Sequence, residues 1–122
     1  MPVRLRPADP DAVRAALSRR AAGEPTREDL RLLVKHFLAL LGDRAPGGAV
    51  EVRVPPYAAV QAVGGTTHKR GTPPAVVELD ADTWLALATG ELAWHDAVAA
   101  GRVTASGERS DLSPHLPLHR LT

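Results

Sequence analysis

Apolar positions recur along this chain with two different periods, and the change from one to the other divides it into helices and strands. Asp9 before Pro10 offers an N-cap acceptor ahead of a residue suited to the first helical position, and Val13, Ala16 and Leu17 then follow a period of 3.6. The pattern predicts a helix over 10–22, closed by Gly23. Thr26-Arg27-Glu28-Asp29 has the form of a capping box and leads into Leu30, Leu33, Val34, Phe37, Leu38 and Leu41, the clearest amphipathic stripe in the chain. Gly42 is expected to end that second helix.

From Ala49 the period falls to 2: Val50, Val52 and Val54 alternate with Glu51 and Arg53, as in a half-buried strand. Pro55-Pro56 cannot donate ladder hydrogen bonds and marks a turn, after which 57–63 reads as a second strand and 64–74 as a polar loop. A third strand is expected over 75–79. Asp80 or Asp82 can cap a short helix carrying Trp84, Leu85, Leu87 and Ala88, ended by Gly90; Trp94, Ala97 and Val98 form another before Gly101. Residues 102–106 read as a last strand with Val103 and Ala105 inward, and the Pro114 and Pro117 tail should lie over the domain in irregular form. This order predicts an α+β fold, a mainly antiparallel sheet of about four strands with helices packed on one face. At 122 residues it fits a single domain spanning 1–122.

Composition removes several function classes. No cysteine is present, so disulfide scaffolds, thiolate metal sites and thiol nucleophiles are excluded. A formal charge of +1, with acids and bases interspersed, gives no basic footprint for nucleic acid. The N-terminus lacks the apolar run of a signal peptide, and nowhere do about 18 apolar residues run together, so a soluble, cytoplasmic protein with no transmembrane segment is expected. His36, His95, His115 and His119 show no metal-ligand spacing, and no Gly-x-Ser-x-Gly elbow appears. No catalytic residue, metal or cofactor is assigned.

Val77 and Leu79, Asp82, Leu85 and Leu87, Thr89-Gly90, Leu92, Ala97, Gly101, Val103 and Gly107 follow the strand–cap–helix–Gly–helix–Gly–strand pattern of the sterol carrier protein type 2 (SCP2) superfamily, which this stretch resembles. Through Val50 to Pro56, Arg70 to Pro74 and Ala105 to Leu112 the chain is also similar to stand-alone "sterol carrier family" proteins of high-GC Gram-positive bacteria, and to the accessory C-terminal domain of mycothiol-dependent maleylpyruvate isomerases. Ala93 stands where the family often has a capping polar residue, and the prolines preclude a long closing helix.

The resemblance implies an SCP2-like fold and non-enzymatic carriage of an apolar small molecule, a lipid, fatty-acyl or terpenoid-like compound. A ligand would lie between sheet and short helices, against Val60, Ala62, Val77, Leu85, Leu87, Val98 and Val103. The same residues could instead pack together as ordinary core. Trp84 and Trp94 could edge the mouth or anchor a core or a subunit interface such as that of a homodimer. Within His68-Lys69-Arg70, Arg70 could grip a carboxylate or phosphate through its planar fork, or belong to a solvated loop tip. Two other functions stay open: a ligand-free protein-interaction module that docks on an enzyme or dimerises, and, more remotely, a thiol-dependent isomerase-related enzyme.

Overall fold

The structure is a computed structural model describing residues 5–64, 75–107 and 110–119. Helix α1 (Pro10–Ala21) starts where Asp9 Oδ2 accepts from the backbone N–H groups of Asp11 and Ala12, both at 3.1 Å. It buries Val13 and Ala16. Helix α2 (Arg27–Arg44) begins with the expected capping box: Thr26 Oγ1 accepts from Asp29 N, and Asp29 Oδ2 accepts from Thr26 N, each at 3.0 Å. The same carboxylate receives Arg19 Nε at 2.7 Å and Nη2 at 2.8 Å, a two-pronged tie from the end of α1 to the start of α2.

Gly42 does not end α2, which continues to Arg44. A helical glycine can instead be a site of close approach, and a Cβ placed on Gly42 would lie 3.4 Å from Val60 Cγ2. The last turns of α2 thus pass beside β2, and an alanine at this position would make ordinary contact with Val60.

Four strands follow the two helices: β1 (Val50–Val54), β2 (Ala58–Ala62), β3 (Ala75–Leu79) and, after helices α3 (Ala81–Ala88) and α4 (Trp94–Ala99), β4 (Val103–Ser106). β2 is shorter than the predicted 57–63, because Tyr57 lies in the turn with its N–H donating to Val54 O and Val63 leaves the strand at φ 67°. The sheet order is β2-β1-β3-β4. Both outer pairs are antiparallel and the central β1–β3 pair is parallel, with Val52 opposite Val60 on one side and Val77 on the other. Val50, Val52, Val54, Ala62, Ala75, Val77 and Leu79 are buried on the face covered by helices, while Arg53, Ala59, Gln61 and Glu78 are exposed. One covered face and one polar face explain the alternation in β1 and β3.

Asp80 rather than Asp82 caps α3, its Oδ1 accepting from Thr83 N at 2.7 Å. Nearly all of α3 is buried, including Thr83, Trp84, Leu85, Leu87 and Ala88. α4 has no side-chain cap, as Ala93 implied, and buries Ala97 alone. Gly90 at φ 82° and Gly101 at φ 72° leave these two helices in the left-handed region, as the spacing predicted. Ala105 corrects another expectation: it pairs with Val77 but is exposed, and Val103 is only half-buried. β4 is an edge strand, and the small contact of α4 with the core leaves its apolar side partly uncovered among the described residues.

The tail keeps the predicted irregular form apart from a single 3-10 turn, Ser113–His115. Leu112 and Leu118 are buried, the N–H groups of Leu118 and His119 both donate to Ala88 O at 2.9 Å, and Arg44 Nη2 reaches Leu118 O at 2.8 Å. The tail therefore clasps the ends of α2 and α3.

Two consequences can be measured. Trp84→Ala removes the largest fully buried side chain and should cost about 3–5 kcal/mol in denaturant unfolding; a loss below about 1 kcal/mol would show that the indole is not a core element. Arg19, followed by the Thr26 backbone N–H, holds the Asp29 carboxyl well below the ordinary carboxylate range. Because the folded-state value is depressed, this contribution to stability is fully present above about pH 4 and lost as pH falls toward the folded value. Asp29→Asn should thus lower Tm near neutrality, with the gap to the parent protein closing on acidification.

Candidate functional site

The expected ligand-lining residues fall into three settings. Ala62, Val77, Trp84, Leu85 and Leu87 belong to the buried cluster, with Trp84 Nε1 donating to Val34 O at 3.3 Å. Val60, Trp94 and Val103 are partly buried and pack against that cluster. Val98 is the exposed large apolar side chain of the described residues, at 45%. Arg70, with His68 and Lys69, lies outside the described residues.

Val60 is the member of this set that also borders open space. A cleft of about 540 Å³ runs beside it, between the C-terminal half of α2 and the edge strand β2. Its apolar lining comes from Leu5, Ala39, Pro46, Ala59 and Val60, with Gly42 and Gly47 offering bare backbone; Asp43, Glu51 and Gln61 supply polar groups. Glu51 also pairs with Arg53 Nη2 at 3.1 Å on the polar face of β1. The volume lies within the range of small-molecule sites, roughly 300–1,000 Å³.

Sequence reading missed most of this cleft. Ala39, Gly42 and Pro46 carry no chemical signal of their own, and Gly42 was expected to be a terminator. The cleft depends on the packing of one helix against one strand, which no local pattern encodes. The signal that existed was an interior helical glycine three residues after Ala39, a spacing that puts two small residues on one face.

The N-terminal segment forms one wall. Leu5 reaches the cleft, and three residues later Ala8 N donates to Nδ1 of His36 on α2 at 3.0 Å. The imidazole of His36 meets the Phe37 ring edge-on at 5.0 Å, and Phe37 in turn meets His119 of the tail at 6.1 Å. Burial first, then the nearby His119, lowers the His36 pKa from the ordinary histidine value. His36 therefore favours the neutral state its acceptor role requires.

Among the described residues no group of three or more His, Asp or Glu side chains gathers as a metal site, and no helix is long and apolar enough to cross a membrane. Asp111 Oδ1 accepts from Ser113 N at 2.9 Å and so caps the turn in the tail.

A family model described as "Bacterial SCP ortholog" matches residues 26–118, from the cap of α2 through the sheet and both short helices into the tail. The chain belongs to the bacterial SCP ortholog family. Its four-stranded sheet with helices is consistent with an SCP2-like domain, and membership suggests a lipid or sterol carrier role in general terms. A search of curated proteins finds no match.

Proposed function

We propose that this SCP-family protein binds and carries an apolar small molecule, fatty-acyl or terpenoid-like, in the cytoplasm, without covalent chemistry, and that the α2–β2 cleft receives it. The observation that carries the reading is the cleft's mainly apolar lining at a volume suited to a ligand, in a chain whose family points to carriage. An apolar compound gains roughly 25 cal/mol for each Å² removed from water, so a few hundred Å² of contact supports micromolar binding before entropic costs. Gln61 at the border can hydrogen-bond a ligand's polar end, while the carboxylates of Asp43 and Glu51 favour a neutral end over an anionic one. Val77, Trp84, Leu85 and Leu87 lie in the packed core, and Trp94 and Val103 at the opposite edge of the sheet, so the proposed site does not extend to them.

One observation favours a second reading, the protein-interaction module. Val98 is 45% exposed, with Trp94 half-buried on the same short helix, and together they offer an apolar anchor to a partner or a second copy.

Binding of the uncharged dye N-phenyl-naphthylamine, followed by its fluorescence and by competition with a panel of fatty acids and terpenoids, distinguishes the two. The carrier reading expects saturable, micromolar binding that Ala59→Trp, at an exposed position on the cleft wall, weakens at least about tenfold by filling the cleft, while Val98→Ser leaves it unchanged. Absence of saturable binding, with a dimer abolished by Val98→Ser, would replace it with the interaction reading.

A further inference from the structure

We infer that the segment 5–9 is a pH-operated strap over the α2–β2 cleft, latched by the hydrogen bond from Ala8 N to His36 Nδ1 and released when that imidazole is protonated. The inference rests on the ligand reading above for its purpose, but its geometry stands separately.

Among the described residues the strap is tied by one hydrogen bond and by the partly buried side chains of Leu5 and Ala8. Leu5 lines the cleft, and Ala8 N meets His36 Nδ1 at 3.0 Å. Nδ1 can accept that bond only with its lone pair free, because a doubly protonated imidazole is a donor at both nitrogens. Protonation thus turns an attractive contact into two opposed donors in a half-buried setting, which costs more than an unmade hydrogen bond. Past residue 9 the chain is secured by other means, since Asp9 caps α1 and Arg19 grips Asp29. Release is therefore confined to the strap, and α1 stays in place.

The surroundings of His36 give the switch its sign. From the tail His119 faces it; from the strap it meets the Ala8 backbone, with the flanking Arg6 and Asp9 exposed; on α2 its sequence neighbour Lys35 is a further cation. Asp9 is engaged with the N–H groups of Asp11 and Ala12. Burial and His119 both favour the neutral ring. With the folded-state value depressed, the latch is complete above about pH 6.5 and is lost as pH falls through the folded value. A protein that keeps its cargo near neutrality then loses the Leu5 wall in an acidic setting, and the cargo with it.

Two readouts test this together. Nuclear magnetic resonance follows the His36 ring and the exchange protection of the Ala8 amide, while N-phenyl-naphthylamine, uncharged throughout, reports the cleft at about pH 8 and about pH 5. Expected is loss of Ala8 protection in step with His36 protonation, together with a dissociation constant about tenfold weaker in acid, equivalent to uncovering much of one leucine. His36→Asn, whose amide oxygen sits where Nδ1 does and can accept from Ala8 without titrating, should bind equally at both pH values. His119→Gln, leaving the latch atoms intact, should move the midpoint upward. Ala8 protection that persists after His36 is protonated, or unchanged pH dependence in His36→Asn, would overturn the strap. Failure of the dye to bind at either pH would sink the carrier reading, while the Ala8 amide would still decide whether the latch opens.

Discussion

The indole N–H of Trp84 donates to the carbonyl of Val34 from the middle of a fully buried cluster, and this contact fixes α3 against α2 at the distance the core requires. α2 is also tied at both ends, its start by Arg19 through Asp29 and its end by Arg44 to the tail carbonyl of Leu118. A helix so constrained cannot slide to fill an irregular space beside it. The cleft lies where the C-terminal half of α2, positioned by its other neighbours, runs beside the edge strand β2.

The firmness of α2 contrasts with the light seating of two elements around it. The strap is held by the Ala8–His36 hydrogen bond and the partly buried Leu5 and Ala8, and α4 by Ala97 with half-buried Trp94. Local opening follows the elements with fewest buried apolar contacts. A carrier needs such elements, because a ligand enclosed by fully packed walls can neither enter nor leave. The structure places its weakly held parts at the cleft and at the uncovered side of β4, and its strongly held parts between them.

Much of the fold was legible because its signals are local. The capping box at Thr26 and Asp29, the alternation of Val50, Val52 and Val54 with Glu51 and Arg53, and the glycines after α3 and α4 each state a backbone geometry within a few residues. Expectations failed where geometry is set at a distance. Gly42 looked like a helix end because glycine carries that meaning when nothing approaches it, whereas here Val60 does. Ala105 looked inward because period and register are local, but its exposure depends on how far α4 reaches over β4. For the site, Val60 could be named from strand periodicity. Ala39, Pro46 and Leu5 could not, since they share a cleft only after α2, the turn that follows it and the N-terminal segment are assembled.

The central claim is that apolar ligands enter between α2 and β2, and the most direct measurement maps backbone amide shifts of the labelled protein during titration with a saturating fatty acid or terpenoid ligand. The account expects the largest changes at Leu5, Ala39, Gly42 and Val60, with α4 nearly silent. Changes centred on Trp94, Val98 and Val103, with the cleft unmoved, would contradict it.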